Sequence, residues 1–201
     1  MQLLEGNYLN LWNICREGTN ALGPGLRYVI WTQGCLKRCI GCTSPESWPI
    51  EPNMIVEVER IAEDITKRLH LSGITISGGE PFLQAASLTK LLLFVKRQRP
   101  LMTVIVFTGY RMEQLVWSDA QALLTQIDVL IDGPYDRNKK ANRGLRGSSN
   151  QRIIFLSEAL DGCRDELENG PRKIEMQFSD DEIVTIGIPN SKLDYLIDKK
   201  K

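Results

Sequence analysis

What this sequence has little of narrows it first. It holds a single histidine, His70, and only five cysteines, while Lys plus Arg equals Asp plus Glu at 25 each. A chain with no net charge has no electrostatic bias toward nucleic acid or an anionic membrane. Its longest apolar runs, such as Leu91–Val95 and Val104–Phe107, are far too short to span a bilayer. Met1–Asn7 carries neither a basic nor an apolar signal region, so no secretory leader is expected. Five cysteines is an odd number, and three of them are clustered, unlike a secreted disulfide framework. The expectation is a reducing, cytoplasmic location. No internal repeat and no low-complexity segment is found. What is present, 42% hydrophobic and 25% charged residues over 201 positions, suits one globular domain with room for a small appendage.

The reactive chemistry is concentrated in Gly34–Cys42, where Cys35, Cys39 and Cys42 are spaced C-x₃-C-x₂-C. Three thiolates can hold three irons of a [4Fe–4S] cluster, which takes one cysteine per iron. With no fourth cysteine nearby, one iron would lack a protein thiolate, and an open position is what a catalytic metal site keeps. A structural zinc site wants four ligands, usually as two paired knuckles. This chain has no second C-x₂-C pair and only His70 to add, which disfavours zinc. Cys15 and Cys163 stand apart and read as small neutral residues.

Along the chain, Tyr8–Ile14 suggests a strand, Gly18–Gly25 a Gly/Pro turn, and Leu26–Thr32 a strongly β-prone run that stops just before Cys35. Residues 43–52 hold three prolines and cannot be regular. Asn53 suits an N-cap, with Ile55, Val58, Ile61, Ile65 and Leu69 at helical spacing behind it. A strand at Ile74–Ser77 stops at Gly78-Gly79-Glu80-Pro81, and a helix follows from Leu83 to Gln98. Thr103–Thr108 is a strand ending at Gly109-Tyr110. Residues 111–126 read as a helix interrupted near Ser118-Asp119. Ile127–Ile131 is a strand ending at Asp132-Gly133-Pro134, and Gln151–Leu156 is another. Lys173–Phe178 and Ile183–Ile188 suggest a β-hairpin, with a short helix near Ser191–Ile197.

Apolar strands alternating with helices imply an α/β fold with a mostly parallel sheet. A complete (β/α)₈ barrel needs about 250 residues. The expectation is therefore an open partial barrel over residues 1–160, with a hairpin-like stretch at 7–33. Residues 161–201 would form a C-terminal β-hairpin and short-helix appendage. In a parallel sheet, sites form at the carboxyl ends of strands. The cysteine loop, GGEP, TGY and DGPY all fall at such ends and point to one site.

The C-x₃-C-x₂-C triad after one strand and GGEP after the next resemble the radical S-adenosylmethionine (SAM) superfamily. From about Leu26 to Arg152 the closer resemblance is to the activating enzymes of anaerobic ribonucleotide reductase. Ser77–Pro81, Phe107–Tyr110, Val129–Gly133 and Arg146-Gly147-Ser148-Ser149-Asn150-Gln151 carry it. The resemblance implies that Cys35, Cys39 and Cys42 ligate a [4Fe–4S] cluster whose fourth iron is chelated by the amino and carboxylate groups of SAM. An external one-electron donor of the flavodoxin or ferredoxin type would drive cleavage of SAM to methionine and a 5′-deoxyadenosyl radical. That radical would then activate a glycyl-radical protein such as anaerobic ribonucleotide reductase.

The resemblance also places Ser77, Gly78, Gly79, Glu80, Thr108, Tyr110, Asp132, Arg146, Ser148 and Asn150 as cofactor-binding candidates. Glycines 78 and 79 would let backbone approach the methionine end of SAM. Glu80, or carbonyls beside it, would accept from the ammonium. Residues 135–152 carry six cations, Arg137, Lys139, Lys140, Arg143, Arg146 and Arg152, against Asp136 alone, at the rim of the expected site. Trp48 is a candidate wall. The stretches 7–25 and beyond Leu160 look extra to a minimal activating enzyme, and a fused β-hairpin suggests a partner surface or a substrate other than ribonucleotide reductase. Two other functions remain open at this point. One is a radical SAM enzyme acting on a small molecule or peptide, like the deazapurine-pathway ring-contracting (7-carboxy-7-deazaguanine) synthase. The other is a non-catalytic Fe–S or zinc interaction module.

Overall fold

The computed structural model describes residues 6–178 and 183–189. In chain order the strands are β1 (Tyr8–Thr19), β2 (Arg27–Thr32), β3 (Met54–Glu57), β4 (Gly73–Gly78), β5 (Thr103–Thr108), β6 (Val129–Asp132), β7 (Arg152–Phe155), β8 (Ile174–Phe178) and β9 (Ile183–Gly187). The α-helices are α1 (Val58–Lys67), α2 (Ala85–Gln98), α3 (Ser118–Leu124) and α4 (Arg164–Asn169). One seven-stranded sheet runs β3-β1-β2-β4-β5-β6-β7, and β8-β9 form a separate hairpin. The central strands β2, β4, β5 and β6 are parallel. The β3/β1, β1/β2 and β6/β7 pairs are antiparallel.

The parallel strands follow one another in sequence order, so each right-handed crossover puts its helix on the same face. Side chains alternate accordingly. Tyr28, Ile30, Ile74, Ile76, Val104, Val106 and Leu130 join Val58, Ile61, Ile65, Leu88, Leu91 and Val95 in the helix-side core. Burying each large apolar side chain there contributes roughly 1.5–3 kcal/mol before conformational entropy is charged against it. Val29, Ile105, Val129 and Ile131 point the other way. They pack against Leu145, Leu160, Leu167 and Ile186 from the chain's last third. This is an open partial β/α barrel whose inner face is filled by C-terminal elements.

The floor of that inner face is polar. The Arg27 side chain is fully buried. Its guanidinium donates to Thr75 Oγ1 at 2.7 Å, Ile74 O at 2.7 Å, Thr103 O and Oγ1 at 3.0 Å, and Pro24 O at 3.1 Å. Burial lowers its pKa to about 9, with Asp128 acting against that shift. Complete hydrogen bonding lets the group stay inside.

Two local expectations need correction. Asn53 caps nothing: its backbone N–H donates to Asn10 Oδ1 at 2.9 Å, and Met54–Glu57 pair with Leu11–Tyr8 as a strand. The β-branched pair Ile55-Val56 suits that edge, and the helix starts only at Val58. The break in the third helical region falls at 115–117, between a 3₁₀ turn (Met112–Gln114) and α3. β7 runs antiparallel to β6, and the 133–151 connection contains no α-helix of the kind that usually carries a parallel return. The helix expected near Ser191–Ile197 lies outside the described residues.

Candidate functional site

The β2 strand ends at Thr32 and hands the chain to the cysteine loop, which is pinned by backbone hydrogen bonds on both sides. Gly34 N donates to Ser47 O at 2.7 Å and Cys35 N to Trp48 O at 3.0 Å. From the next strand end, Gly79 N reaches Thr32 O and Glu80 N reaches Gly34 O, both at 2.8 Å. A Cβ on Gly79 would stand 2.3 Å from Gly34 O, and one on Gly78 (φ +100°) 2.4 Å from Thr32 N. Only glycine lets the GGEP turn lie flat against the root of the cysteine loop.

A cavity of about 300 Å³ opens above this junction. Cys35, Cys39 and Cys42 line it together with Ser77, Gly78, Gly79, Glu80 and Thr108. Burial pushes the Cys35 thiol up; charge from Glu80 and Cys42 adds to this, and backbone N–H groups of Arg38 and Lys37 oppose it. Burial likewise raises Cys39, with Cys42 and Cys35 adding to it and a Tyr135 backbone hydrogen bond opposing. Without metal these groups are held as thiols, so loading a cluster must release protons. Among the described residues no three His, Cys, Asp or Glu side chains converge on a point one metal ion could fill.

Glu80 is buried. Its Oε1 accepts from Thr108 Oγ1 at 2.8 Å and Phe82 N at 3.1 Å, and its Oε2 from Gly109 N at 2.8 Å. Burial raises its pKa against those three hydrogen bonds and the charge of Lys37. The carboxylate thus ties the end of β4 to the end of β5. Lys37, from inside the cysteine motif, lies 3.7 Å over the Tyr110 ring.

The structure places the other candidates around the cavity rather than on its wall. Tyr110 packs on the helix-side core and against Trp117, ring centroids 5.6 Å apart. Asp132 is fully buried in an ionic knot. It accepts from Arg152 Nε at 2.9 Å and Met112 N at 2.8 Å, from Arg152 Nη2, and from Arg111 Nη1 at 3.3 Å. Burial pushes this carboxyl up, but Arg152, the Met112 N–H and Arg111 outweigh it and hold it below the usual carboxylate value. Ser148 Oγ accepts from Asp136 N at 3.1 Å, and Asn150 Nδ2 donates to Pro134 O at 2.8 Å. Arg146 Nε and Asn150 Oδ1 are, among the described residues, the buried side-chain polar atoms without a partner.

Several wall residues escaped the sequence reading. From the RGSSNQ stretch it is Gly147 and Gln151 that reach the cavity. Gln151 Oε1 accepts from Gly147 N at 2.9 Å and Ser148 N at 3.1 Å, while Nε2 donates to Gly133 O at 2.9 Å. Trp31 and Phe107 also line it, beside Trp12, whose ring meets Trp31 edge-on at 6.4 Å. Period-two alternation places Trp31 with Val29 and Phe107 with Ile105 on the inner face, a signal present in the sequence. Trp48, expected as a wall, is one. The basic loop folds back onto the cysteine loop: a Cβ on Gly41 would stand 3.0 Å from Arg137 Cδ, and Lys140 lines the cavity. No helix among the described residues is long and apolar enough to cross a membrane.

The 4Fe-4S single cluster domain family matches residues 21–154. An anaerobic ribonucleoside-triphosphate reductase-activating protein of Enterobacteria phage T4 is 31% identical over 136 residues, covering 65% of this chain and 85% of that one. One from Pasteurella multocida is 36% identical over 148 residues, covering 68% and 91%. A pyruvate formate-lyase-activating enzyme of Staphylococcus aureus is 44% identical over 80 residues, covering 37% and 32%. Among solved structures, QueE from Escherichia coli superposes with a TM-score of 0.39 at 14% identity, over 77% of this chain and 66% of that one. With its three thiols and glycine turn on one cavity wall, this chain belongs to the 4Fe-4S single cluster domain family, in the radical SAM group that includes the anaerobic ribonucleoside-triphosphate reductase-activating proteins.

Proposed function

We propose that this protein is a radical SAM activating enzyme that installs a glycyl radical on a partner protein of the anaerobic ribonucleotide reductase type. The observation that carries the reading is the convergence of Cys35, Cys39, Cys42 and the Gly78–Gly79 backbone on one cavity at the carboxyl ends of the parallel strands. The donor set fits a [4Fe–4S] cluster with one iron left for SAM. The flat glycine turn fits close backbone approach by a ligand. A cluster and SAM bound there, given one electron from an external flavodoxin- or ferredoxin-type donor, would supply reductive cleavage of SAM to methionine and a 5′-deoxyadenosyl radical able to take a hydrogen atom.

The chain's own residues position and shield. Cys35, Cys39 and Cys42 would hold the cluster, and Ser77–Gly79 would hold the methionyl end of SAM. Glu80 fixes the GGEP turn to the end of β5 through Thr108 and Gly109. Lys37 donates its backbone N–H to Cys35 and sets its ammonium over the Tyr110 ring, where its charge acts on Glu80. Trp12, Trp31 and Phe107 give the cavity aromatic walls that keep water from the reacting centre. The curated activating proteins are covered over most of their own length by this chain, which supports the protein-activating reading over a small-molecule one.

The test is to incubate the reconstituted, reduced protein anaerobically with SAM and an anaerobic ribonucleoside-triphosphate reductase, then record the electron paramagnetic resonance spectrum. A glycyl-radical signal that needs all three components is expected. SAM cleavage without any radical on the reductase would sink the partner assignment.

A further inference from the structure

The segment that leaves β6, residues 133–141, lies against the cysteine loop. The Tyr135 backbone N–H donates to the Cys39 sulfur. The Arg137 side chain packs on Gly41, where a Cβ would stand 3.0 Å from its Cδ. Apart from one 3₁₀ turn at Arg137–Lys139, this segment has no helix or strand of its own, so its position must be fixed from outside. The RGSSNQ stretch fixes it along its length. Asn150 Nδ2 donates to Pro134 O at 2.8 Å, and Ser148 Oγ accepts from Asp136 N at 3.1 Å. Ser149 N donates to Lys139 O at 2.6 Å, and Ala141 N to Gly147 O at 3.1 Å. The Tyr135 ring lies on Gly147, where a Cβ would stand 2.9 Å from its Cδ2. Gln151 holds this splint together: its Oε1 accepts from Gly147 N and Ser148 N, and its Nε2 donates to Gly133 O. The splint is itself anchored. Arg172 donates to Arg146 O, and to Pro189 O at 2.8 Å, at the base of the hairpin whose Val184, Gly187 and Ile188 line the cavity.

We propose that Gln151 is a positioning residue for the cluster: by joining Gly133 to Gly147 and Ser148 it holds the Tyr135 N–H on Cys39, and so helps to set the cluster's reduction potential. The proposal rests on the [4Fe–4S] assignment above. A hydrogen bond to a sulfur of the cluster favours its reduced, more negative form, and partners beyond the ligands tune a metal centre in this way. Gln151 donates to and accepts from backbone groups on both sides of the splint, so it acts through the segment that it holds. The place calls for an amide, which accepts on one arm and donates on the other. A carboxylate would have no hydrogen for Gly133 O, and an apolar side chain would leave the Gly147 and Ser148 N–H groups without their acceptor.

The test compares the native protein with Gln151→Met and Ser148→Ala, each reconstituted anaerobically with iron and sulfide and studied without SAM or a partner protein. Gln151→Met keeps the side chain's length and loses its hydrogen bonds, while Ser148→Ala removes the acceptor for Asp136 N. Two quantities are read: the midpoint potential of the cluster, by redox titration followed by electron paramagnetic resonance, and amide exchange over residues 133–141. In Gln151→Met the equilibrium constant for one-electron reduction is expected to fall about tenfold, a midpoint ~59 mV more negative. Exchange over 133–141 should quicken at least tenfold, with β4 and β5 unchanged. Ser148→Ala should move both readouts the same way by less, and it decides alone if Gln151→Met does not fold. The proposal is overturned if exchange quickens while the potential stays put, which would leave Gln151 a purely structural part. A potential that rises also overturns it, because the segment would then act by shielding the cluster from water. So does a potential that falls with exchange unchanged, or loss of the cluster from both variants, which would make the segment a requirement for holding the cluster rather than for tuning it. A native protein that takes up no [4Fe–4S] cluster overturns the assignment itself, and the proposal with it.

Discussion

Asp132 shows how a site-like residue can be committed elsewhere. It ends a strand on the functional side of the sheet, yet its oxygens are engaged by Arg111, Arg152 and the Met112 N–H. Arg152 is also held by Glu113 in a two-pronged pair at 2.8 Å, so the knot joins β6, β7 and the turn after β5. A charge-assisted hydrogen bond contributes about 1.5–3 kcal/mol. Asp132→Asn is therefore expected to lose stability of about that size in urea unfolding at pH 7. The pH dependence has a definite sign. Because the native carboxyl is held below its ordinary value, its stabilisation is complete above the unfolded pKa of about 3.9 and disappears as pH falls through the lower native value. The native protein and the Asp132→Asn variant should converge in stability in acid. A gap that widened there would contradict the assignment.

At the scale of elements, the C-terminal hairpin depends on Glu175 as well as on Ile186 for its seat. Glu175→Ala removes both acceptors at the β1–β2 turn. Exchange of the Ile186 amide is expected to quicken about tenfold, the equivalent of roughly 1.4 kcal/mol of local opening. Unchanged exchange would mean that apolar burial alone holds the hairpin. Elements are legible in the sequence where a local rule dominates. Thr103–Thr108 is bounded as a strand by its own β-branched run and the Gly that follows. Met54–Glu57 is not, because Ile55 keeps helical spacing with Val58 while its backbone is claimed by pairing with β1. The direction of β7 can be read only from the missing helix before it. Within the site, the cysteines and glycines are visible by spacing. Trp12, Arg172 and the hairpin wall are not, since long-range packing brings them there and no local motif marks them.

For the whole molecule, one division of labour follows from the topology. The helices cover one face of the sheet, and the last third of the chain covers the other, leaving a cavity at the carboxyl ends of the strands. The central claim is that Cys35, Cys39 and Cys42 form a three-thiolate seat whose missing fourth ligand is SAM. It is tested most directly by anaerobic reconstitution and reduction, addition of SAM, and quantification of 5′-deoxyadenosine in the native protein and five cysteine variants. The native protein, Cys15→Ala and Cys163→Ala should form it at similar rates, and Cys35→Ala, Cys39→Ala and Cys42→Ala should form none. Undiminished cleavage by Cys39→Ala, or a reduced [4Fe–4S] protein that leaves SAM intact, would contradict it.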